Sequence, residues 1–526
     1  MALKRTVTNK EVCDALFMPC PDKEEFSVCR ADGCGAQIKR NPTGYTNLIA
    51  HVRSVHPDTF QLMSTTPSSY SSSLLRFLQP KKGRNLHDWL EIVILGLRPF
   101  STVEDDCLRR HLKLNPICVD TFMKHKAALV VRVENKIANM LPDVFCVVLD
   151  GWSCATTHYV ALFATYPSDA PNGYCKVLLA FSPMGNEKSL DAETHVTFIE
   201  KTLRLYKKSM DNVMAFIGDN VSTNKRAARL AKVAFVGCAS HRYNLAVMDL
   251  VNDNSELIGK VNALMVFLRS LIPAATLRER TPLQPVTACP TRWGSYHKQL
   301  KRYTELREFI PQMDMPDAED LLPSAAEHRR IASLLDFLEP MEGVSLELQK
   351  NRCTMAHVRD CFDMVVQDHP STRGRLAADA EIVQCKNFED AVVLIQRQQS
   401  HSLTSAQRAA VSMLKRGSVY KASGVHGGED SGTVSRKRSI VDRVYKRRKQ
   451  LAAGSGVGYI DTRFIVPTSN MVESFFSKAG RAVTPHMLDL LPIQLEGQMF
   501  LYANADVWNI DDLSKVVQAA KPGPEC

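Results

Sequence analysis

Residues 147–154 read "VVLDGWSC": an apolar run that ends on a carboxylate, Asp150, followed at once by glycine, tryptophan and serine. With the residues before it, "VFCVVLD" (144–150), the stretch has the length and β-branched content of a buried strand. A buried strand tolerates a charge at its end only where something offsets that charge. Two further strand-like runs follow, "YVALFATYP" (159–167) and "CKVLLAFSP" (175–183). Next come an amphipathic helix "DAETHVTFIEKTLRLYKKS" (191–209), a fourth strand "VMAFIGDN" (213–220) and a second helix "STNKRAARLAKV" (222–233). Strands joined by short turns pair antiparallel, and strands separated by helices pair parallel. Residues 143–250 therefore predict a mixed, three-layered α/β domain.

A second carboxylate, Asp219, ends the fourth strand, and strand ends beside a topological switch are where α/β sheets hold ligands. Two converging carboxylates repel unless cations lie between them, which points to divalent metal held by oxygen ligands. Two such ions about 4 Å apart activate a water or hydroxyl and stabilise the leaving oxygen of a phosphodiester. Glu473, in "VPTSNMVESFFSKAG" (466–480), is the candidate third acid. Phe475, Phe476 and Ala479 fit the packed face of a short helix there, and Ser469 its N-cap. The bland alternatives are a turn or cap role for each aspartate and a solvated face for the glutamate.

At 526 residues and 45% apolar, the chain can bury several cores. Its net charge of +10 permits a polyanionic partner without requiring one. No signal-peptide pattern and no membrane-length apolar window stand out, so the expectation is a soluble intracellular protein with no membrane partner. Fifteen scattered cysteines, an odd number, argue for reduced thiols and a metal site rather than a disulfide framework. Ser/Thr/Pro-rich residues 64–73 mark a linker, within 63–82. Helical spacing over 83–142 (Leu86, Trp89, Leu90, Val93) predicts a helical domain, and the same spacing dominates 251–422 (Ile331, Leu334, Leu335, Leu338). Residues 423–458 read as a glycine-rich loop around the basic run "RKRSIVDRVYKRRK" (436–449), suited to nuclear localisation or a nonspecific DNA clamp.

Residues 20–62 hold Cys29 and Cys34, then His51 and His56, each pair with four residues between its members. Two thiolates from a turn and two imidazoles from a helix suit tetrahedral Zn2+, with Leu48, Val52 and Val55 as the apolar stripe beneath. Cys13 and Cys20 are competing thiols without a histidine pair. Lys39, Arg40, Asn47 and Arg53 surround the helix start, where a finger reaches phosphates and base edges.

Together, the single BED-like finger, "VVLDGWS", "FIGDNVSTNKRAA", "CASHRYNLAV", "CPTRWGSY" and "PTSNMVESFFSKAG" resemble, in order, the hAT superfamily of cut-and-paste DNA transposases over about residues 25–508. The resemblance implies a multidomain α+β chain: a BED-type zinc finger, a helical domain and an RNase H-like mixed α/β catalytic domain interrupted by an all-α insertion. It implies that Asp150, Asp219 and Glu473 are the catalytic acids and bind two Mg2+ or Mn2+ ions. It places Cys238 and His241 on a strand-to-helix turn next to the catalytic face, for a role near DNA, with His241 a DNA-binding candidate, or in bracing the active site. Arg292 is expected at a phosphate and Trp293 on an unpaired base, with a buried structural tryptophan as the alternative. Residues 459–510 would complete the catalytic domain and carry a dimerisation segment, giving a nuclear, self-associating protein that binds double-stranded DNA. Two departures stand out: Ser474 replaces the arginine usual after the glutamate, and a glycine-rich basic loop replaces ordered helices before Pro467. They keep open a second reading, a domesticated, catalytically inactive zinc-finger DNA-binding regulator. A metal-dependent nuclease unrelated to transposition is a more distant third.

Overall fold

The structure, a computed structural model, describes residues 8–31, 34–41, 44–57, 59–60, 81–112, 114–154, 156–184, 190–289, 292–416, 458–483 and 492–519. The linker at 64–73 and the basic run at 436–449 lie outside the described residues. The chain is multidomain, mostly helical, with two sheets.

The N-terminal module joins helix α1 (Asn9–Leu16), strands β1 (Phe17–Pro19), β2 (Phe26–Cys29) and β3 (Gln37–Lys39), and helix α2 (Thr46–Val55). The strands form an antiparallel sheet in chain order. Its small core gathers Val12, Leu16 and Phe17 with Leu48, Ile49 and Val52, so it draws on residues before position 20. Val55, expected in the stripe, is 53% exposed. Ile49 takes its place, because the helix turns Leu48, Ile49 and Val52 inward and ends at Val55.

Helices α3 (Lys81–Leu90) and α4 (Val119–Met140) precede the main sheet. Its strands are β4 (Phe145–Cys154), β5 (Thr157–Pro167), β6 (Tyr174–Pro183), β7 (Val213–Gly218) and β8 (Ala234–Gly237), in the order β6-β5-β4-β7-β8. The β4–β5 and β5–β6 pairs are antiparallel, and β4–β7 and β7–β8 are parallel. This is the expected mixed sheet, with helices α5 (Ala192–Leu205) and α6 (Ser222–Ala231) on the crossovers.

Asp150 does not end its strand: β4 runs four residues further and stays paired to β5 as far as Cys154↔Thr157. What ends beside Asp150 is the parallel half, whose last pair is Val148↔Ile217. The long antiparallel partner holds the extension in place, so the carboxylate stands where one neighbour continues and the other stops.

Beyond β8 the chain leaves for a helical body, from α7 (Ala239–Val251), α8 (Ser255–Leu268) and α9 (Leu271–Arg278) through α10 (Trp293–Leu306), α11 (Ala325–Leu348) and α12 (Met355–Asp368). That body has its own core, built on Tyr243, Val261, Leu264, Leu300, Tyr303, Leu338 and Phe362. It is tied back to the sheet by a buried ion pair. Arg242 of α7 meets Glu389 of α13 (Lys386–Gln396) at 3.4 Å and also donates to the carbonyls of Arg375, Leu376 and Ala377. Helix α14 (Asn470–Ala482) then docks on β4, and α15 (Pro492–Ala503) and α16 (Ile510–Ala519) pack on β6, α3 and α4. The segment 83–142 thus shares one core with the sheet and with the C-terminal helices: Trp89, Phe122 and Ile137 join Phe145, Phe476, Leu495 and Trp508. No single helix among the described residues is long and apolar enough to cross a membrane.

Candidate functional site

The N-terminal group is assembled by a turn and a helix. Cys29 closes β2, and Gly35 adopts φ 63°, the left-handed conformation that glycine enters without penalty. Its N–H donates to the Cys29 carbonyl while the Cys34 N–H donates to Ala31, so the chain doubles back and both thiols face α2. Cys29 Sγ lies 3.6 Å from His56 Nε2, and Cys34 Sγ lies 3.6 Å from His51 Nε2. All four ligand atoms fall within 4.8 Å of one another. With Zn–S near 2.3 Å and Zn–N near 2.0–2.1 Å, the S···N edge of a tetrahedron is about 3.5 Å, so the donor set fits zinc. Cys13 is buried in the module's core, where burial, helped by Asp14, pushes its thiol up to about 11, the opposite of what a thiolate ligand needs.

The basic residues around this group have local partners. Lys39 is paired with Glu25 at 3.0 Å, Arg40 Nε donates to Ser27 Oγ, Asn47 donates to the Lys39 carbonyl, and the Arg53 guanidinium sits 4.7 Å over the Phe60 ring. Asn47 thereby braces the end of β3 against the start of α2.

The second site is built on the centre of the main sheet. Burial, then the negative charge of Asp219, raises the Asp150 carboxyl to about 7; Glu473 pushes the same way, and the Gly151 N–H and Arg292 act against it. Asp219 follows β7 directly. Burial raises its carboxyl too, against the pull of His241, hydrogen bonds from Asn224 and the Val221 N–H, and His195. Asp150, Asp219 and Glu473 therefore meet in one electrostatic neighbourhood although 323 residues separate the first from the last (473 minus 150). They form a more open set than the thiol–imidazole group. Among the described residues, the groups whose ligand atoms all lie within 4.8 Å are Cys29, Cys34, His51 and His56, and His87, Asp88 and Glu91.

Two contacts fix the helix that carries Glu473. Phe475, Phe476 and Ala479 are buried on the sheet, as expected, and Val472 joins them, with Phe476 against Trp152. Ser469 does not cap α14 with its side chain; its N–H donates instead to Cys238 Sγ at 3.3 Å. The Ala239 N–H donates to the Pro467 carbonyl and the Cys238 N–H to Gly218. Burial pushes the Cys238 thiol up, so it braces the turn as a neutral group. His241 stands in the first turn of α7 beside Asp219. Asn224 and His195 were not singled out from sequence; the only signal for Asn224 was a helix start following a strand-end aspartate.

Arg292 and Trp293, neighbours in sequence, part in space. Arg292 Nη2 reaches Glu473 Oε2 at 3.0 Å, with Arg292 69% and Glu473 41% exposed. The Trp293 ring is 3% exposed and packs edge-on to Tyr243 in the core of the helical body. That burial favours the structural alternative for this residue, since no open face remains for a base.

Comparison with protein-family models gives no match for this chain, and comparison with curated proteins gives none either.

Proposed function

We propose that the chain is a hAT-like DNA transposase, or a close derivative of one, that binds duplex DNA through a BED-type finger and cuts phosphodiesters on an RNase H-like domain. The observation that carries this reading is the negative charge of Asp219, and more weakly of Glu473, acting on the buried Asp150 carboxyl at the point where the parallel half of a five-stranded mixed sheet ends. Support also comes from the strand order β6-β5-β4-β7-β8, from the helical body inserted before the third acid, and from an N-terminal group fit for zinc.

Three carboxylates, one of them held near 7 by burial and like charge, are a donor set that divalent cations relieve. Asp150, Asp219 and Glu473 would hold Mg2+ or Mn2+, which when bound activates an attacking water or 3′-hydroxyl and stabilises the leaving oxygen. Around them the chain's own groups orient the acids. Asn224 fixes the Asp219 carboxylate, Trp152 and the Cys238–Ser469 contact fix α14, and Arg292 sets positive charge where a phosphodiester would approach, with the His241 imidazole beside Asp219. Lys39, Arg40, Asn47 and Arg53 serve the duplex by phosphate and groove contacts. Nuclear location and self-association belong to the same reading.

The test is Mn2+-dependent cleavage of labelled duplex DNA by the zinc-loaded full chain. Cleavage that is lost in Asp219→Asn, with DNA binding kept, supports the reading. Binding without cleavage in either Mg2+ or Mn2+ replaces it with the DNA-binding regulator.

A further inference from the structure

We infer that Arg292 is a positioning residue that stands in for cationic charge at Glu473 in the metal-free protein and yields that carboxylate when divalent metal binds. The inference rests on the metal-dependent reading of Asp150, Asp219 and Glu473. It begins from the 3.0 Å contact between Arg292 Nη2 and Glu473 Oε2, which joins the start of α10 to the helix docked on β4 across 181 residues of sequence.

The backbone around Arg292 is fixed while its side chain is open. Its N–H donates to the Cys289 carbonyl, its own carbonyl accepts from Ser295 Oγ at 2.6 Å, and the following residue, Trp293, is buried with its N–H on Asn244 Oδ1. The guanidinium thus swings from an anchored root. An ion pair this exposed is screened by water and is worth little, so a cation with two or three carboxylate ligands displaces it readily. The contrast is Arg242–Glu389, buried on both sides and held by three carbonyls, which has the form of a permanent tie. Arg292 also acts on Asp150, so its charge is felt by more than one member of the triad. Once released, the guanidinium remains beside the acids, free to meet a phosphate oxygen in bidentate fashion.

The test is isothermal titration of Mn2+ into the zinc-loaded full chain without DNA, comparing wild type, Arg292→Gln, Arg292→Lys and Asp150→Asn. Circular dichroism serves as the control for folding. Because the guanidinium competes with the ion, Arg292→Gln should bind Mn2+ about two- to fivefold tighter than wild type, and Arg292→Lys should fall back toward wild type. Equal or weaker binding by Arg292→Gln, in a protein whose Mn2+ site needs Asp150, would overturn the inference and leave the functional reading standing. Mn2+ binding that is indifferent to Asp150→Asn would overturn both.

Discussion

The indole of Trp152 stacks on the ring of Phe476, centroids 6.0 Å apart and planes 16° from parallel. Trp152 shares a face of β4 with Asp150, two residues before it, and Phe476 shares a helix with Glu473, three residues before it. The stack therefore clamps the strand bearing the first acid to the helix bearing the third. Truncating either ring should loosen α14: Trp152→Ala and Phe476→Ala should each cost about 3 kcal/mol, the double mutant less than the sum by about 1 kcal/mol. Hydrogen exchange over residues 470–482 is the check. Unchanged protection in Trp152→Ala would show that the helix is held by something else.

The zinc group makes a spectroscopic prediction. Co2+ substituted into the full chain should give thiolate-to-cobalt charge transfer and tetrahedral d–d bands, both lost in Cys29→Ser and kept in Cys13→Ser. Because the module's core is small, removing metal should also unfold residues 9–55. Retention of both bands in Cys29→Ser would exclude the assigned ligands.

How much of this was legible in the sequence depends on the range over which the forces act. The Cys29, Cys34, His51 and His56 group was legible because turn and helix place its members by local spacing, and β4 to β7 because apolar runs and turns set them. Glu473 was not legible from spacing: its place near Asp150 depends on α14 docking through Trp152, Phe181 and Phe163, which lie some 300 residues away. The C-terminal tail is similar. Its resemblance to a dimerisation segment gave no sign that Asp512 would be buried against Arg132 and Lys136 of α4 at 2.8 and 2.6 Å, or that Lys126 would donate to the Gln494 carbonyl. Val55 is exposed although it falls on the apolar stripe, because helical periodicity alone does not say where the buried part of a helix stops.

A pH dependence follows from the same C-terminal packing. Glu496 of α15, by burial first and by the charge of Glu134 second, is raised from 4.5 to about 7. An acid whose folded pKa exceeds its unfolded value favours the protonated folded state, so its contribution is complete below about pH 4.5 and is lost as pH rises through 7. Glu496→Gln should therefore stabilise the protein at pH 8, by on the order of 1–3 kcal/mol, and do little at pH 4.5. Denaturant midpoints at the two pH values measure it, and equal shifts at both would refute the assignment.

The Arg242–Glu389 pair makes a prediction about the join between the helical body and the sheet. Removing one partner leaves a buried charge, so Arg242→Met should cost about 3–5 kcal/mol and expose the segment around residues 375–389 to proteolysis. The double substitution Arg242→Met with Glu389→Leu should recover much of that loss. A single mutant as stable as wild type would show that the pair carries no energy.

Whether Asp150 is a metal-binding acid of a DNA-cutting site, as proposed, is decided by single-turnover cleavage of labelled duplex DNA by zinc-loaded wild type and Asp150→Asn in Mn2+. Wild type should nick the duplex, and Asp150→Asn should reduce the rate at least about a hundredfold while binding the same DNA within about threefold, since loss of a metal ligand removes several kcal/mol of transition-state stabilisation. Equal cleavage by the two proteins, or binding by wild type with no cleavage in Mn2+ or Mg2+, would contradict it.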